Sequence, residues 1–354
     1  MSSKRPHPAS SLKPPAIPVL PVDDGRPFWS VMIPTYNPRA DYLEETLRSV
    51  LQQDPGPEEM QIEVIDDHSS DDLAAQTVRR TGGGRVSFHA ESQNRGLAGI
   101  WNRCIERARG EWVHILHQDD LVLPGFYVAM QKGTGDSRVG AVFCRHAVIN
   151  PEGHWLRISH LHRESAGLPD AWHETITVHD LIQCPAIVVR RAVYEHVGGF
   201  RPELHYTLDW EMWQRIAAQY SFWFEPSILA CYREHPASAT SKLMLDAGDV
   251  REVRSTIEMT MAYHPRHRGP VLSRLARAFY AGLAVRNSRH LLVQGHSEAA
   301  RKQVIEALRM SRSSTVLWEL ASLLVLWARV AGARLKRRFR PISNCTPVAQ
   351  QEPK

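Results

Sequence analysis

Between Trp29 and Leu116 the chain alternates two apolar patterns. "WSVMIP" (Trp29–Pro34), "IEVID" (Ile62–Asp66), "VSFHA" (Val86–Ala90) and "WVHIL" (Trp112–Leu116) are short apolar runs of strand length. Between them lie helical stretches. "DYLEETLRSVLQQ" (Asp41–Gln53) sets Leu43, Leu47, Val50 and Leu51 on one face, "SDDLAAQTVRR" (Ser70–Arg80) opens with acids that suit a helix dipole, and "LAGIWNRCIERA" (Leu97–Ala108) stops before Gly110. The alternation predicts a largely parallel sheet flanked by helices. Such sheets bind ligands outside the carboxyl ends of their strands. Polar residues gather at that edge: Pro34-Thr35-Tyr36-Asn37, Asp66-Asp67, Asn94-Arg95-Gly96 and His117-Gln118-Asp119-Asp120.

From Val139 the pattern changes. "VGAVFCRHAVI", "HWLRIS", "AIVVRR" and "ILACYREHPAS" (Ile228–Ser238) read as strands mixed with loops, and "RAVYEHVGGF" (Arg191–Phe200) and "LDWEMWQRIAA" (Leu208–Ala218) read as helices. Beyond about Leu243 the periodicity is nearly all helical, which predicts a helical appendage.

Composition narrows the picture. The 354 residues are 43% hydrophobic and 23% charged, enough to bury a sizeable core. A net charge of +5, with no dense Lys/Arg block outside the last helix, argues against a nucleic-acid partner. Five singly spaced cysteines, with no C-x-x-C, argue against structural zinc or a disulfide framework and for a reducing compartment, the cytoplasm. Residues 1–27 carry seven prolines and read as a disordered leader, not a signal peptide.

Four groups carry candidate chemistry. Two acids at a strand tip, Asp66-Asp67, exceed what a helix-capping turn needs, and a carboxylate there can accept a base N–H such as N3 of uracil. His117-Gln118-Asp119-Asp120 brings two carboxylates to the end of a buried strand, where Mg²⁺ or Mn²⁺ bridging a diphosphate would satisfy them. Asp209 opens a helix beside Trp210 and Trp213. Taken alone it is most simply a helix cap, but partial desolvation would make it a general base. "YREHPASATS" (Tyr232–Ser241) offers His235 as a metal ligand and Arg233 as a phosphate partner.

Taken in order, "VMIPTYNP", "LEETLRSVLQQ", "EVIDDHSSDD", "NRGLAGIWNRCIERARGEWVHILHQDD", "GGF", "LDWEMWQRIA" and "YREHPASATS" resemble the successive motifs of the family 2 glycosyltransferases, from Trp29 to Ser241. The resemblance implies an α/β GT-A fold: a Rossmann-like, mostly parallel sheet with a helical C-terminal extension. It divides the chain into the leader 1–27, a nucleotide-sugar half 28–124, an acceptor half 125–242, the extension 243–340 and a disordered tail 341–354. It implies an inverting, metal-dependent enzyme that moves a sugar from a nucleoside diphosphate, uridine diphosphate on family frequency, to an acceptor hydroxyl in surface polysaccharide or glycolipid synthesis. By position, Pro34, Tyr36 and Asn37 would line the nucleotide pocket, and Asp66 or Asp67 would recognise the base. Asn94, Arg95 and Gly96 would shape the adjoining loop, Arg233 would meet the departing diphosphate, and Asp209 would be the base. Asp119, with Asp120 and His235, would hold Mg²⁺ or Mn²⁺. One departure stands out: the family's D-x-D-D is H-Q-D-D here, so His117 replaces an acid that contacts the ribose in relatives.

Two competing readings follow. A catalytically silent nucleotide-sugar-binding scaffold would keep the fold and lose the chemistry. A nucleotidyltransferase would carry a Gly-rich basic loop after the first strand, where this chain has "PTYNPRADY". Near the C-terminus, Ser314–Arg340 is apolar, interrupted by Glu319 and Arg329, then basic at Arg334, Lys336, Arg337, Arg338 and Arg340. That pattern fits either a helix packed on the domain or an interfacial helix on the inner face of a membrane, near a lipid-linked acceptor.

Overall fold

The computed structural model describes residues 13–21, 25–235 and 243–338. Its first half is built of β1 (Trp29–Thr35), α1 (Ala40–Leu51), β2 (Met60–Asp66), α2 (Leu73–Gly82), β3 (Ser87–Ala90), α3 (Gly96–Arg107) and β4 (Trp112–Ile115). Strands β3-β2-β1-β4 lie side by side and parallel. The period of two along each strand divides its side chains between two cores. Val31, Ile33, Ile62 and Val64 face α1 and α2, whereas Met32 and Ile65 face the α3 side.

Past β4 the sheet becomes mixed. The order continues β8 (Ile187–Arg190), β6 (Val139–Ile149), β9 (Ser221–Arg233) and β5 (Leu121–Val122), with β7 (Trp155–Ile158) hairpinned onto β6. Here β8 is antiparallel to β4 and β6, while β6 and β9 run parallel. The parallel character is therefore concentrated in the first half. Helices α4 (Phe126–Gln131), α5 (Trp172–Val178), α6 (Arg191–Val197) and α7 (Leu208–Ala217) cover this part. Strand β9 begins at Ser221, ahead of the expected Ile228. Glu225-Pro226 reads as a break, and the β6–β9 register does slip between Cys144 and Arg145, opposite that proline.

Asn102 of α3 clamps the Gly-Gly-Phe turn that follows α6. Its Oδ1 accepts the Phe200 N–H at 2.6 Å and its Nδ2 donates to the Phe200 carbonyl at 2.8 Å. A Cβ on Gly199 would come within 2.3 Å of the same Oδ1, so the turn requires glycine there. Asn102→Ala strands both backbone groups and is expected to lower stability by about 2 kcal/mol in a denaturant melt.

Residues 13–21, expected to be disordered, instead lie extended against this turn. Pro15 accepts the Gly199 N–H at 2.7 Å, Pro18 accepts from Arg191 at 3.3 Å, and Ile17 is buried in the core. Proline has no N–H to donate, but its carbonyls still accept.

The extension consists of α8 (Gly248–Thr260), α9 (Gly269–Val293), α10 (Ser297–Met310) and α11 (Ser314–Arg338). Its core is not its own. Trp210 of α7 packs among Val250, Val253, Ile257, Tyr280 and Ala284, and its Nε1 donates to the Ile176 carbonyl at 2.6 Å.

Candidate active site

The carboxyl ends of β1 and β2 are tied by Asp66. One of its oxygens accepts from Thr35 Oγ1 at 3.0 Å and Ser69 Oγ at 2.5 Å, the other from the Ser69 N–H at 2.8 Å. Pro34 is tolerated inside β1 because the registered β1–β4 pairs end at Met32 opposite Ile115. Asn37 adopts a left-handed φ of 45° and accepts from Ser70 through its side chain, while its N–H donates to Ser69. Tyr36 stays 52% exposed over this edge, and its N–H donates to Gln118 Oε1 at 2.9 Å. Gln118 thus draws the tips of β1 and β4 together, a role its place in the motif did not announce.

Asp67 is buried and serves the start of α3. Its two oxygens accept from the Arg95 N–H at 2.6 Å and the Gly96 N–H at 3.0 Å, and Asn94 Nδ2 donates to its carbonyl. Burial raises the Asp67 carboxyl, against the pull of those two N–H groups. The Arg95 side chain turns away to pair with Glu91 at 2.6 Å. Asp66 and Asp67 thus brace the ends of the strands and the start of α3. Each carboxylate oxygen has more than one lone pair, so a base N–H can still be accepted.

At the β4 tip the two acids part. Asp120 is fully buried, with Oδ1 accepting the Arg233 N–H at 2.9 Å and Oδ2 lying 3.4 Å from His117 Nδ1. Burial pushes its carboxyl up to about 6, with His117 opposing. His117 stacks on Trp101 at 4.8 Å. Burial disfavours its imidazolium, but Asp120, Asp119 and Asp209 together outweigh burial and raise its pKa. Asp119 is only partly covered, and its Oδ2 meets His235 Nε2 at 2.8 Å.

Two expectations need correcting here. Asp120, expected with Asp119 at the metal, is enclosed behind it and braces the strand. Arg233, expected at the diphosphate, is buried and committed. Its guanidinium donates to the carbonyls of Asp119 at 2.9 Å and Pro151 at 3.0 Å and to Glu45 at 2.6 Å, and it lies 4.3 Å over the Tyr42 ring. Residues 236–241 of the same motif lie outside the described residues.

Among the described residues no three His, Cys, Asp or Glu side chains converge as a metal cage. Asp119 Oδ2 and His235 Nε2 still bring a carboxylate oxygen and an imidazole nitrogen within 2.8 Å of each other. That donor pair fits a hard divalent cation whose other positions come from diphosphate and water.

Asp209 stands in the first turn of α7, half-buried, with Oδ1 accepting the Trp210 N–H at 2.8 Å. Burial pushes its carboxyl up to about 6, against that N–H and the nearby His117. Asp180, in the loop after α5, has one oxygen buried without a hydrogen-bond partner. Burial and the Asp209 charge hold its carboxyl well above the ordinary range. Cys184, Asp180 and Tyr206 sit close enough to Asp209 to feel its charge. Asp180 was missed because nothing around "VHDLIQC" has a motif's spacing.

A mixed sheet with acids at the ends of its parallel strands, completed by a helix that carries a desolvated Asp, defines a GT-A glycosyltransferase fold. The model of Glycosyl transferase family 2 matches residues 30–198. An uncharacterized protein of Mycobacterium tuberculosis is 30% identical over 64% of this chain and 73% of its own length. An uncharacterized glycosyltransferase of Rickettsia typhi is 25% identical over 61% of this chain, which spans 66% of that relative. Among solved structures, a mannosyltransferase of Pyrobaculum calidifontis in complex with GDP-mannose and Mn²⁺ superposes with a TM-score of 0.54 at 21% identity. The match covers 89% of this chain and 88% of that one. The chain belongs to glycosyl transferase family 2.

Proposed function

We propose that this chain is an inverting glycosyltransferase that moves a sugar from a nucleoside-diphosphate sugar to an acceptor hydroxyl. The observation that carries the reading is Asp209, a carboxylate whose burial lifts it to about 6, so that it is ionised at neutral pH yet basic enough to take a hydroxyl proton. Pro34, Tyr36, Asn37, Asp66, Asp67 and the Asn94–Gly96 turn wall the nucleotide side, and His117 occupies the ribose position. Asp119 and His235 would hold a divalent cation, which when bound would neutralise charge on the departing diphosphate. Asp209 removes the acceptor proton as attack proceeds, and a single in-line displacement with one base inverts the anomeric centre.

The acceptor is a glycan or lipid-linked molecule of surface polysaccharide or glycolipid synthesis. What supports a lipid neighbourhood is the apolar face of α11, where Leu317, Trp318, Leu324 and Val325 are all exposed. No described helix is long and apolar enough to cross a membrane. The silent-scaffold reading draws on His117, which leans on Trp101 and Asp120.

Thermal melting with UDP, GDP, dTDP and CDP, each with and without Mn²⁺, tests the donor site. A nucleotide at 100 times its dissociation constant is expected to add about 2.7 kcal/mol. The gain should require Mn²⁺ and vanish in Asp119→Ala. If none of the four moves the melt, the donor site is not functional and the scaffold reading prevails.

A further inference from the structure

The most heavily loaded acceptor beside the site belongs to the extension. Glu252 Oε1, on α8, accepts the N–H groups of His205 at 2.9 Å, Tyr206 at 2.6 Å and Thr207 at 2.8 Å, together with Thr207 Oγ1 at 3.0 Å. Thr207 Oγ1 also lies 2.6 Å from Thr256 Oγ1, on the same helix as Glu252. These are the residues that lead into α7, whose own N-cap position, Thr207, supplies no side-chain cap. Three successive backbone N–H groups just ahead of a helix make a concavity that attracts an anion, and a carboxylate from another element fills that place here. The Glu252 side chain is only 15% exposed, so the arrangement is built rather than incidental. Asp209 is two residues beyond the capped segment.

A second element from the extension converges on the same turn. The Tyr280 hydroxyl of α9 accepts the Asp180 N–H at 2.8 Å, and the Tyr280 ring packs 4.9 Å from Trp210, the residue after Asp209.

We infer that Glu252 is a positioning residue for the transfer: it caps the entry to α7 from the extension and so fixes where Asp209 stands and what charge surrounds it. The inference rests on Asp209 being the base. The groups facing Asp209 are His117 at the β4 tip, Asp180 and Cys184 from the loop after α5, Tyr206 on its own approach, Glu252 of α8 and Tyr280 of α9. Of these, Glu252 adds a like charge that resists ionisation of Asp209, and His117 opposes it. Removing the Glu252 charge while keeping an acceptor therefore moves Asp209 towards easier ionisation.

The test compares the full-length wild type with Glu252→Gln, Glu252→Ala and Asp209→Asn. Carboxyl NMR on aspartate-labelled protein follows the Asp209 titration, assigned by its loss in Asp209→Asn. Hydrogen exchange follows the amides of residues 205–207, and release of nucleoside diphosphate from UDP- or GDP-sugar gives turnover. Glu252→Gln should lower the Asp209 midpoint by about half a unit with those amides still protected. Glu252→Ala should speed their exchange about tenfold and lower kcat with KM for the donor unchanged. An unmoved midpoint in Glu252→Gln, or unmoved exchange in Glu252→Ala, overturns the inference. The two readings fail separately. If Glu252 shifts the midpoint but Asp209→Asn turns over like wild type, the base assignment falls and the coupling stands. If Asp209→Asn is inactive and the Glu252 variants match wild type, the reverse holds.

Discussion

Asp209→Asn is expected to slow sugar transfer by about 10³-fold and, at the same time, to make the protein harder to unfold. The first effect follows from removing the only carboxylate proposed to take the acceptor proton, while the pocket wall and the Asp119–His235 pair keep nucleotide affinity unchanged. The second follows from the same burial that makes Asp209 basic. Lifting a carboxyl from 3.8 to about 6 means that its ionised form is held at a cost of about 1–3 kcal/mol, allowing for partial solvent access. The sign is definite. Because the folded pKa lies above the unfolded one, the protonated form favours folding, an advantage complete below 3.8 and lost as pH rises through about 6. The asparagine variant should therefore melt higher than wild type at pH 8, with the gap closing between pH 6 and 4. Wild-type turnover should fall as pH drops through about 6. A variant that is inactive but melts no higher at pH 8 would show that Asp209 is not desolvated, and a fully active variant would remove it as base.

Arg233→Ala is expected to lower stability by about 3 kcal/mol in a melt without any nucleotide. The guanidinium satisfies the carbonyls of Asp119 and Pro151 and stacks on Tyr42, and truncation leaves those carbonyls unpaired and the ring uncovered. Lysine would not rescue it, because one ammonium cannot reproduce a planar fork lying on an aromatic face. If Arg233→Ala instead melts like wild type and loses only nucleotide affinity, the arginine belongs to the diphosphate after all.

The two effects mark what could be read in the sequence and what could not. Strands β1 to β4 were legible because each is a short apolar run closed by a polar tip, and the rule about strand ends directed attention to the edge where those tips gather. Asp209 was legible as a helix-opening acid ahead of Trp210 and Trp213, since the apolar residues beside it point to partial desolvation. Arg233 was not, because whether an arginine two residues from His235 points to solvent or into the β9–α1 seam depends on Tyr42 and Glu45, far back in the chain. The same holds for Asp119 and Asp120. Asp119 lies in a turn closed by the Asp120 N–H to the His117 carbonyl at 3.2 Å, and which of the two acids is enclosed depends on where β9 lies. Residues 13–21 were read as disordered because a proline-rich segment has no periodicity, yet it docks through carbonyls that any residue type supplies. Glu252 was beyond reach for a further reason: a cap supplied by a distant helix leaves no local spacing to find.

Trp210 has a last consequence. It belongs at once to the helix that bears Asp209 and to the interior of the C-terminal helices, so those two parts cannot lose order independently. Mild heating that loosens α8 and α9 would also release the anchor of α7, while the parallel strands of the first half, with cores of their own, still stand. Inactivation would then run ahead of global melting, and a partly warmed population would hold nucleotide without transferring sugar.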